Sequence, residues 1–278
     1  MVSGREAAVA ATLALLLEVS GNPKAGNVDR EHDFEDLRYE HFLASAAGAF
    51  PVFLEVSVSR KVGEGIYNAV VESRKWHTAT NVHFGAFLLL VPLIAAWDKG
   101  GKKEMAAGAV DVLKKTSYED SLLVLKAFRM SEARVVEAAK MDLSDDETER
   151  RIVEERINLY EWMKMAPEEN LIAKELVGGY RISLDGAELL MSLEGDVNER
   201  IVSLYHTLLS RYPDPLIVAK KGRDYAVGVM EMARKVLKGD MSIEELDRKL
   251  IEDGANPGTI ADLTASSIYL ALIEGWKV

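Results

Sequence analysis

Cysteine is missing from all 278 residues, which excludes disulfides, thiolate catalysis and cysteine-ligated zinc. Glutamine is missing as well, while Glu, Lys and Arg are plentiful, the direction in which thermophilic proteins drift. Positive charge is outweighed: the formal net charge is -11, which argues against broad nucleic-acid binding because that needs a basic surface to displace counterions. A local basic pocket for one anionic ligand is compatible with that total. The apolar stretch from Phe84 to Trp97 contains Pro92 and falls short of the roughly 20 residues of a membrane span, so it reads as a buried core helix. A second stretch, Ala7 to Leu17, follows Arg5 like the core of a signal peptide, but Glu6 sits beside it. A leader is therefore not expected, and a cytoplasmic location is. No zinc pattern, Walker loop, GxGxxG fingerprint or Ser-centred elbow occurs.

What remains is the composition of a soluble globular protein, 48% hydrophobic and 28% charged. The length suits one large core or two modest domains. Apolar residues recur at helical spacing over 3–19, from Asp33 to about Gly48, and in the segments Gly65 to Trp76, Phe84 to Trp97, Lys103 to Lys114 and Tyr118 to Phe128. The pattern returns over Asn198 to Tyr212, Asp224 to Leu237, Ser242 to Glu252 and Thr259 to Trp276. Ser144 to Glu147 resembles a helix start, and the charged run Glu147 to Met165 reads as a solvated helix face. Val52 to Val62 alternates β-branched residues, but no partner strand is evident, so helix is the better assignment. With no internal repeat or linker, the expectation is an all-α fold, one domain of about ten or more helices over 1–278.

Polar islands interrupt these runs: Asn22-Pro23-Lys24-Ala25-Gly26-Asn27-Val28-Asp29, Thr80 to Gly85, Arg211-Tyr212-Pro213-Asp214 on to Lys220-Lys221-Gly222, and Asn256-Pro257-Gly258-Thr259 with Asp262. Each sets Gly or Pro beside Asn, Asp, His or Lys where a helix begins or ends. Helix termini carry unsatisfied polar groups, and N-termini favour anions. If 29–40 is helical, Asp29, His32, Asp33, Asp36 and Glu40 share one side, which fits either a solvated acidic stripe or a carboxylate cluster for Mg²⁺, a hard cation that takes oxygen ligands. Asn81 and His83 precede an apolar helix as caps or as chemistry. Thr259 and Asp262 have capping-box spacing with Asp in place of Glu. Singly, each island has an ordinary structural explanation.

Together, in order and spacing, they resemble the triphosphoribosyl-dephospho-coenzyme A synthase family. Its Pro-Lys-Pro-Gly turn with Asp and His-Asp reads here Pro23-Lys24-Ala25-Gly26, Asp29 and His32-Asp33. Its Asn-Thr-(His or Asn)-x-Gly reads Asn81-Val82-His83-Phe84-Gly85, and its Arg-x-Pro-Asp segment reads Arg211 to Asp214, with Lys220-Lys221-Gly222. The terminal motif is Asn256-Pro257-Gly258-Thr259-Ile260-Ala261-Asp262-Leu263. The chain departs at Ala25 for Pro, at Val82 and Pro215 for Thr, and at Glu169-Asn170 where Arg-Asp is usual. The resemblance implies a transferase that moves the triphosphoribosyl group of ATP onto the 2′-hydroxyl of dephospho-coenzyme A and releases adenine. It assigns Asp29, Asp33 and Asp262 to metal and transition-state charge, and His83 to proton transfer. Lys24, Lys220 and Lys221 fall to the triphosphate, with Asn81, Arg211, Asn256 and Thr259 as further binding residues. The partners it implies are ATP with Mg²⁺ and dephospho-coenzyme A or a related alcohol, with no nucleic acid and no membrane; a homodimer is compatible. A different acceptor, water as acceptor, or a non-enzymatic nucleotide-binding protein are the alternatives at this point.

Overall fold

The computed structural model describes residues 2–79, 81–132 and 146–278. Among them, fifteen α-helices and one 3-10 turn at Trp97–Lys99 make up the regular structure, and no strand occurs. The first six are α1 (Gly4–Ser20), α2 (Tyr39–Ser59), α3 (Val62–Arg74), α4 (Phe84–Ala95), α5 (Lys102–Lys114) and α6 (Tyr118–Ser131). The middle is built from shorter pieces: α7 (Asp146–Glu154), α8 (Leu159–Lys164), α9 (Leu171–Gly178) and α10 (Arg181–Ser192). The last five are α11 (Val197–Arg211), α12 (Pro215–Lys221), α13 (Arg223–Lys238), α14 (Ile243–Glu252) and α15 (Gly258–Ile273).

Two largely buried helices occupy the centre: α4, apolar on every side, and α15, whose Thr and Ser side chains are buried with its apolar ones. Around α15 pack α1, α4, α10 and α11, and α4 in turn meets α2, α3 and α5. Small residues set how closely these helices approach. A Cβ at Gly186 of α10 would lie 2.9 Å from Cβ of Ser267 on α15, inside van der Waals contact. Local signals define the helix starts: Ser3 and Glu6 exchange a capping box at α1, and Asp196 and Glu199 do so at α11.

The helix expected from Asp33 begins instead at Tyr39, and 29–38 is loop. The acids of that segment bond nearby amides and so compete with helix formation. Asp29 Oδ1 accepts the amides of Glu31 and His32, both at 2.9 Å, and Asp33 Oδ1 accepts that of Tyr39 at 2.8 Å. The acidic stripe predicted along 29–40 therefore does not exist. From Tyr39 the helix runs unbroken through Gly48 and Pro51 to Ser59, taking in most of the β-branched segment assigned to helix. Pro51 faces outward, so the carbonyl left without its donor reaches water. The charged run is two helices, α7 and α8, separated where Arg156 adopts φ 52°. Ser144 and Asp145 lie outside the described residues. By length and composition, α2 is the one described helix capable of crossing a membrane, and 44% of its apolar window is buried inside the protein.

Candidate active site

The loop after α1 folds back into the protein and buries its lysine. Lys24 has no exposed surface. Its ammonium pairs with the Glu18 carboxylate one turn from the end of α1 and donates to Asn27 Oδ1 at 2.9 Å. It also lies 5.6 Å from the ring centre of Tyr205. Burial pushes the Glu18 carboxyl above its usual range, and Lys24 partly offsets this. The turn is fixed from several directions. Lys24 N–H donates to Asp29 Oδ2 at 2.9 Å, Gly26 N–H to Asp247 Oδ1 at 2.8 Å, and Tyr205 O–H to the Ala25 carbonyl at 3.0 Å. Gly26 needs to be glycine on two counts: φ is 72°, and a Cβ would come within 2.9 Å of the Ala255 carbonyl oxygen. The Ala25 amide, which a proline there would lack, donates to His206 Nε2 at 3.4 Å. Burial lowers the His206 pKa to about 4, so the ring is neutral and can accept.

Asn27 joins this turn to the far end of the chain, donating to Asn256 Oδ1 at 2.8 Å across 229 residues. Beside it, Asp214 serves two helices at once. Its Oδ1 accepts the amides of Leu216 and Ile217 at the start of α12, at 2.8 and 3.1 Å, and its Oδ2 accepts that of Ile260 on α15 at 2.9 Å. Burial raises its pKa to about 6 against the lowering effect of these amides. The capping box expected between Thr259 and Asp262 is absent: α15 starts at Gly258, and the capping carboxylate comes from Asp214.

Asp262 is thereby free for a different contact. A Cβ on Gly85, in the first turn of α4, would lie 2.8 Å from Asp262 Cγ and closer still to Oδ2. Glycine at 85 makes room for this carboxyl at the positive end of a helix. Burial, with Glu18 and Asp214 nearby, raises the Asp262 pKa well above the carboxylate range, opposed by the Ala86 amide. His83 precedes the same helix in a left-handed conformation, φ 63°. Its Nδ1 meets the Ser45 hydroxyl at 3.0 Å, and its buried Nε2 has no hydrogen-bond partner among the described residues. Burial, with His77 and Lys24 adding like charge, lowers its pKa to about 3.

The structure thus gathers Lys24, Asp29, His83, Asn256 and Asp262 with Asp214, and adds residues not singled out in the sequence: Glu18, Ser45, Asp247 and Tyr205. Glu18 left a signal, a lone acid on the buried face that carries Ala7, Ala11, Ala14 and Leu15. Thr259 is buried beside Asp214, which also accepts its amide. Asp33 is exposed and holds the start of α2. Lys220 and Lys221 are exposed on α12, where Lys220 Nζ donates to the Gly254 carbonyl at 2.7 Å, and Arg211 is exposed at the end of α11. Asn81 is half-buried before His83. Among the described residues no group of three or more His, Asp or Glu is arranged to hold a metal ion. Asp29 has its oxygens committed to three amides and Asp33 is engaged at α2, so the set Asp29, Asp33 and Asp262 does not fit a resident metal.

Residues 4–278 match the family described as ATP:dephospho-CoA triphosphoribosyl transferase, CitG. The chain belongs to this family. It is also similar, at 56% identity and a TM-score of 0.76, to the crystal structure of an Archaeoglobus fulgidus protein assigned as a triphosphoribosyl-dephospho-coA synthase; 86% of this chain and 100% of that one are covered. No curated protein gives a significant match. In this transferase the four polar islands meet: Asn27 is tied to Asn256, Asp214 to the first turn of α15, and the Asn81–Gly85 segment is met by Asp262.

Proposed function

We propose that this chain carries out the reaction of its family on ATP and dephospho-coenzyme A at the junction of α1, α4, α12 and α15. The bond between adenine and C1′ of the ATP ribose breaks, and the 2′-hydroxyl of dephospho-coenzyme A bonds to C1′. The triphosphate stays on the ribose, and the hydroxyl proton is balanced by the one that adenine takes up. Such a transition state has oxocarbenium character, which carboxylates stabilise. The observation that carries the reading is the Asp262 carboxyl lodged over Gly85 beside His83, whose Nε2 has no hydrogen-bond partner among the described residues. Asp262 faces the ribose carbon, where burial holds its carboxyl protonated at rest and the positive charge that develops on the ribose draws it to the ionised form. His83 exchanges the proton in neutral form, and a bound polyanion raises its basicity against the effects of burial and Lys24.

Lys24 acts on this reading by positioning: it neutralises Glu18 and fixes the turn that carries Asp29 and Asn27. Lys220, Lys221 and Arg211 hold the triphosphate at the rim, with Asn81, Asn256 and Thr259 lining the approach. Mg²⁺ arrives with ATP, bound to its phosphates and keeping several waters, rather than as a resident ion. A cytoplasmic location accords with ATP as substrate, and we take the working species to be a homodimer. The test is chromatography of ATP and Mg²⁺ incubated with the protein, with and without dephospho-coenzyme A. Adenine and a triphosphoribosyl product that form only with the acceptor, and are lost in Asp262→Asn, support the assignment. Adenine without acceptor indicates hydrolysis; none with any acceptor refutes enzymatic ribosyl transfer.

A further inference from the structure

The His83 ring is held by a single hydrogen bond, and its partner comes from a helix outside the four polar islands. Ser45 lies on the core-facing side of α2 with no exposed surface, and its Oγ stands 3.0 Å from His83 Nδ1. The rings of Phe42 and Phe87 flank the imidazole, with centroids 5.0 and 5.9 Å from its own, and close packing keeps it from turning. Buried serines on other helices spend their hydroxyl hydrogen on a carbonyl of the same helix: Ser73 on Val70 at 3.1 Å, and Ser267 on Leu263 at 2.7 Å. Ser45 makes no such bond. His83 is its one hydrogen-bond partner among the described residues.

A neutral imidazole carries one hydrogen, on Nδ1 or on Nε2, and the partner of one nitrogen decides the state of the other. Burial keeps this ring neutral, with a pKa of about 3. With the hydrogen on Nδ1, Ser45 would accept it. The Ser45 hydrogen would then be buried without an acceptor, and the Nε2 lone pair would be bare as well. With the hydrogen on Nε2, Ser45 donates to Nδ1, and only the Nε2–H is left over. Each buried unpaired group is costly, so the second form is the stable one. We propose that Ser45 is a positioning residue that holds His83 as the Nε2–H tautomer and so makes it a hydrogen-bond donor to the leaving base. This rests on the reaction proposed above and narrows the part of His83 in it. A nitrogen that already bears hydrogen cannot take another from the attacking 2′-hydroxyl. Its partner is the departing adenine, which takes the electron pair of the broken bond to C1′. The hydrogen bond from Nε2–H offsets that charge as the bond breaks. The proton that adenine finally keeps is still balanced by the one the acceptor hydroxyl releases.

Long-range proton–nitrogen correlation spectra of the full chain, labelled with ¹⁵N at histidine, read the tautomer directly at neutral pH. The chain has five histidines, and His83→Gln identifies the signals that belong to this one. The expected wild-type spectrum places Nδ1 in the unprotonated range and Nε2 in the protonated range. Ser45→Thr and Ser45→Val add nearly the same bulk and differ in the hydroxyl, so any cost of the added carbon is common to both. Ser45→Thr should keep the wild-type tautomer, and Ser45→Val should show a mixture or the reverse. In parallel, kcat for adenine release should be about 100-fold lower in Ser45→Val than in Ser45→Thr, the lower end for a positioned proton-transfer group. KM for ATP should agree between the two within about twofold, because ground-state binding is untouched. A wild-type ring with its hydrogen on Nδ1 overturns the proposal, and so does a tautomer unchanged in Ser45→Val. Equal kcat in the two variants overturns the link to the leaving base. A wild type with the expected tautomer that releases no adenine with any acceptor overturns the transferase reading and the donor role with it, while the Ser45–His83 pair stands.

Discussion

Gly85→Ala is the sharpest test of the active-site geometry, because one added carbon has one neighbour that it cannot avoid. The new Cβ would lie 2.8 Å from Asp262 Cγ, where carbon atoms ordinarily sit about 3.5–4.0 Å apart. Either the carboxyl turns away from α4 or α15 shifts, in both cases by about 1 Å. Overpacking of this kind costs about 1–3 kcal/mol, which for a chain of this size lowers Tm by about 2–4 °C per kcal/mol. Misplacing a catalytic group by ~1 Å lowers turnover on the order of 100-fold. The same substitution in an Asp262→Ala chain meets no carboxyl. There it should be neutral or stabilising by up to about 1 kcal/mol, because alanine loses less backbone entropy than glycine in a helix. Thermal melts of the four chains form a double-mutant cycle, and adenine release is followed in parallel. An equal cost in both backgrounds would refute Asp262 as the group that demands glycine at 85. Full adenine release by Gly85→Ala would refute the catalytic placement.

Lys24→Met leaves Glu18 buried without its cation and should cost about 3–5 kcal/mol in urea unfolding; adding Glu18→Leu should recover most of it, and no recovery would mean that Lys24 is held by something other than this pair. The folded-state pKa of His83, about 3, lies below the ordinary 6.5, so its contribution to stability is present above pH 6.5 and is lost as pH falls toward 3. His83→Gln should therefore retain stability further into acid than wild type in melts from pH 7 to 3, and parallel curves would disprove the burial of a neutral ring. Lys220→Ala with Lys221→Ala should raise KM for ATP about tenfold, flatten its salt dependence and leave kcat close to wild type. A fall in kcat at unchanged KM would remove these lysines from the triphosphate.

Most helices were legible because their apolar spacing survives into the fold: α1, α4, α5, α11, α13 and α14 lie within a residue or two of where the periodicity puts them. The loop 29–38 was not, because Asp29, Asp33 and Asp36 mimic helical spacing while Asp29 and Asp33 spend their oxygens on neighbouring amides. Within the site, the motif residues Lys24, His83, Asn256 and Asp262 stood out, but their uses did not. That Lys24 answers Glu18, and that Asp214 caps a helix beginning 44 residues further on, are tertiary facts with no local pattern. Asp247 sits in an exposed, highly charged helix and carries no distinguishing signal at all.

The charge arrangement constrains how a polyanion can bind. Glu18, Asp29, Asp214, Asp247 and Asp262 lie near one another around Tyr205 and Lys24, which is the one buried cation described there. Negative charge entering that interior would meet a cluster of acids whose one buried cation, Lys24, is already paired with Glu18. The helix N-termini that usually receive phosphate are also committed: Asp214 holds those of α12 and α15, and Asp262 sits at that of α4. A nucleoside triphosphate therefore suits this site in one orientation. On the proposed reading the ribose, on which positive charge develops, faces the carboxyls. The phosphates, with their own Mg²⁺, would then point outward to Lys220 and Lys221, which are exposed at the end of α12. That division would favour cleavage at the glycosidic carbon over transfer of a phosphoryl group, because the acids would lie at C1′ and not at phosphorus.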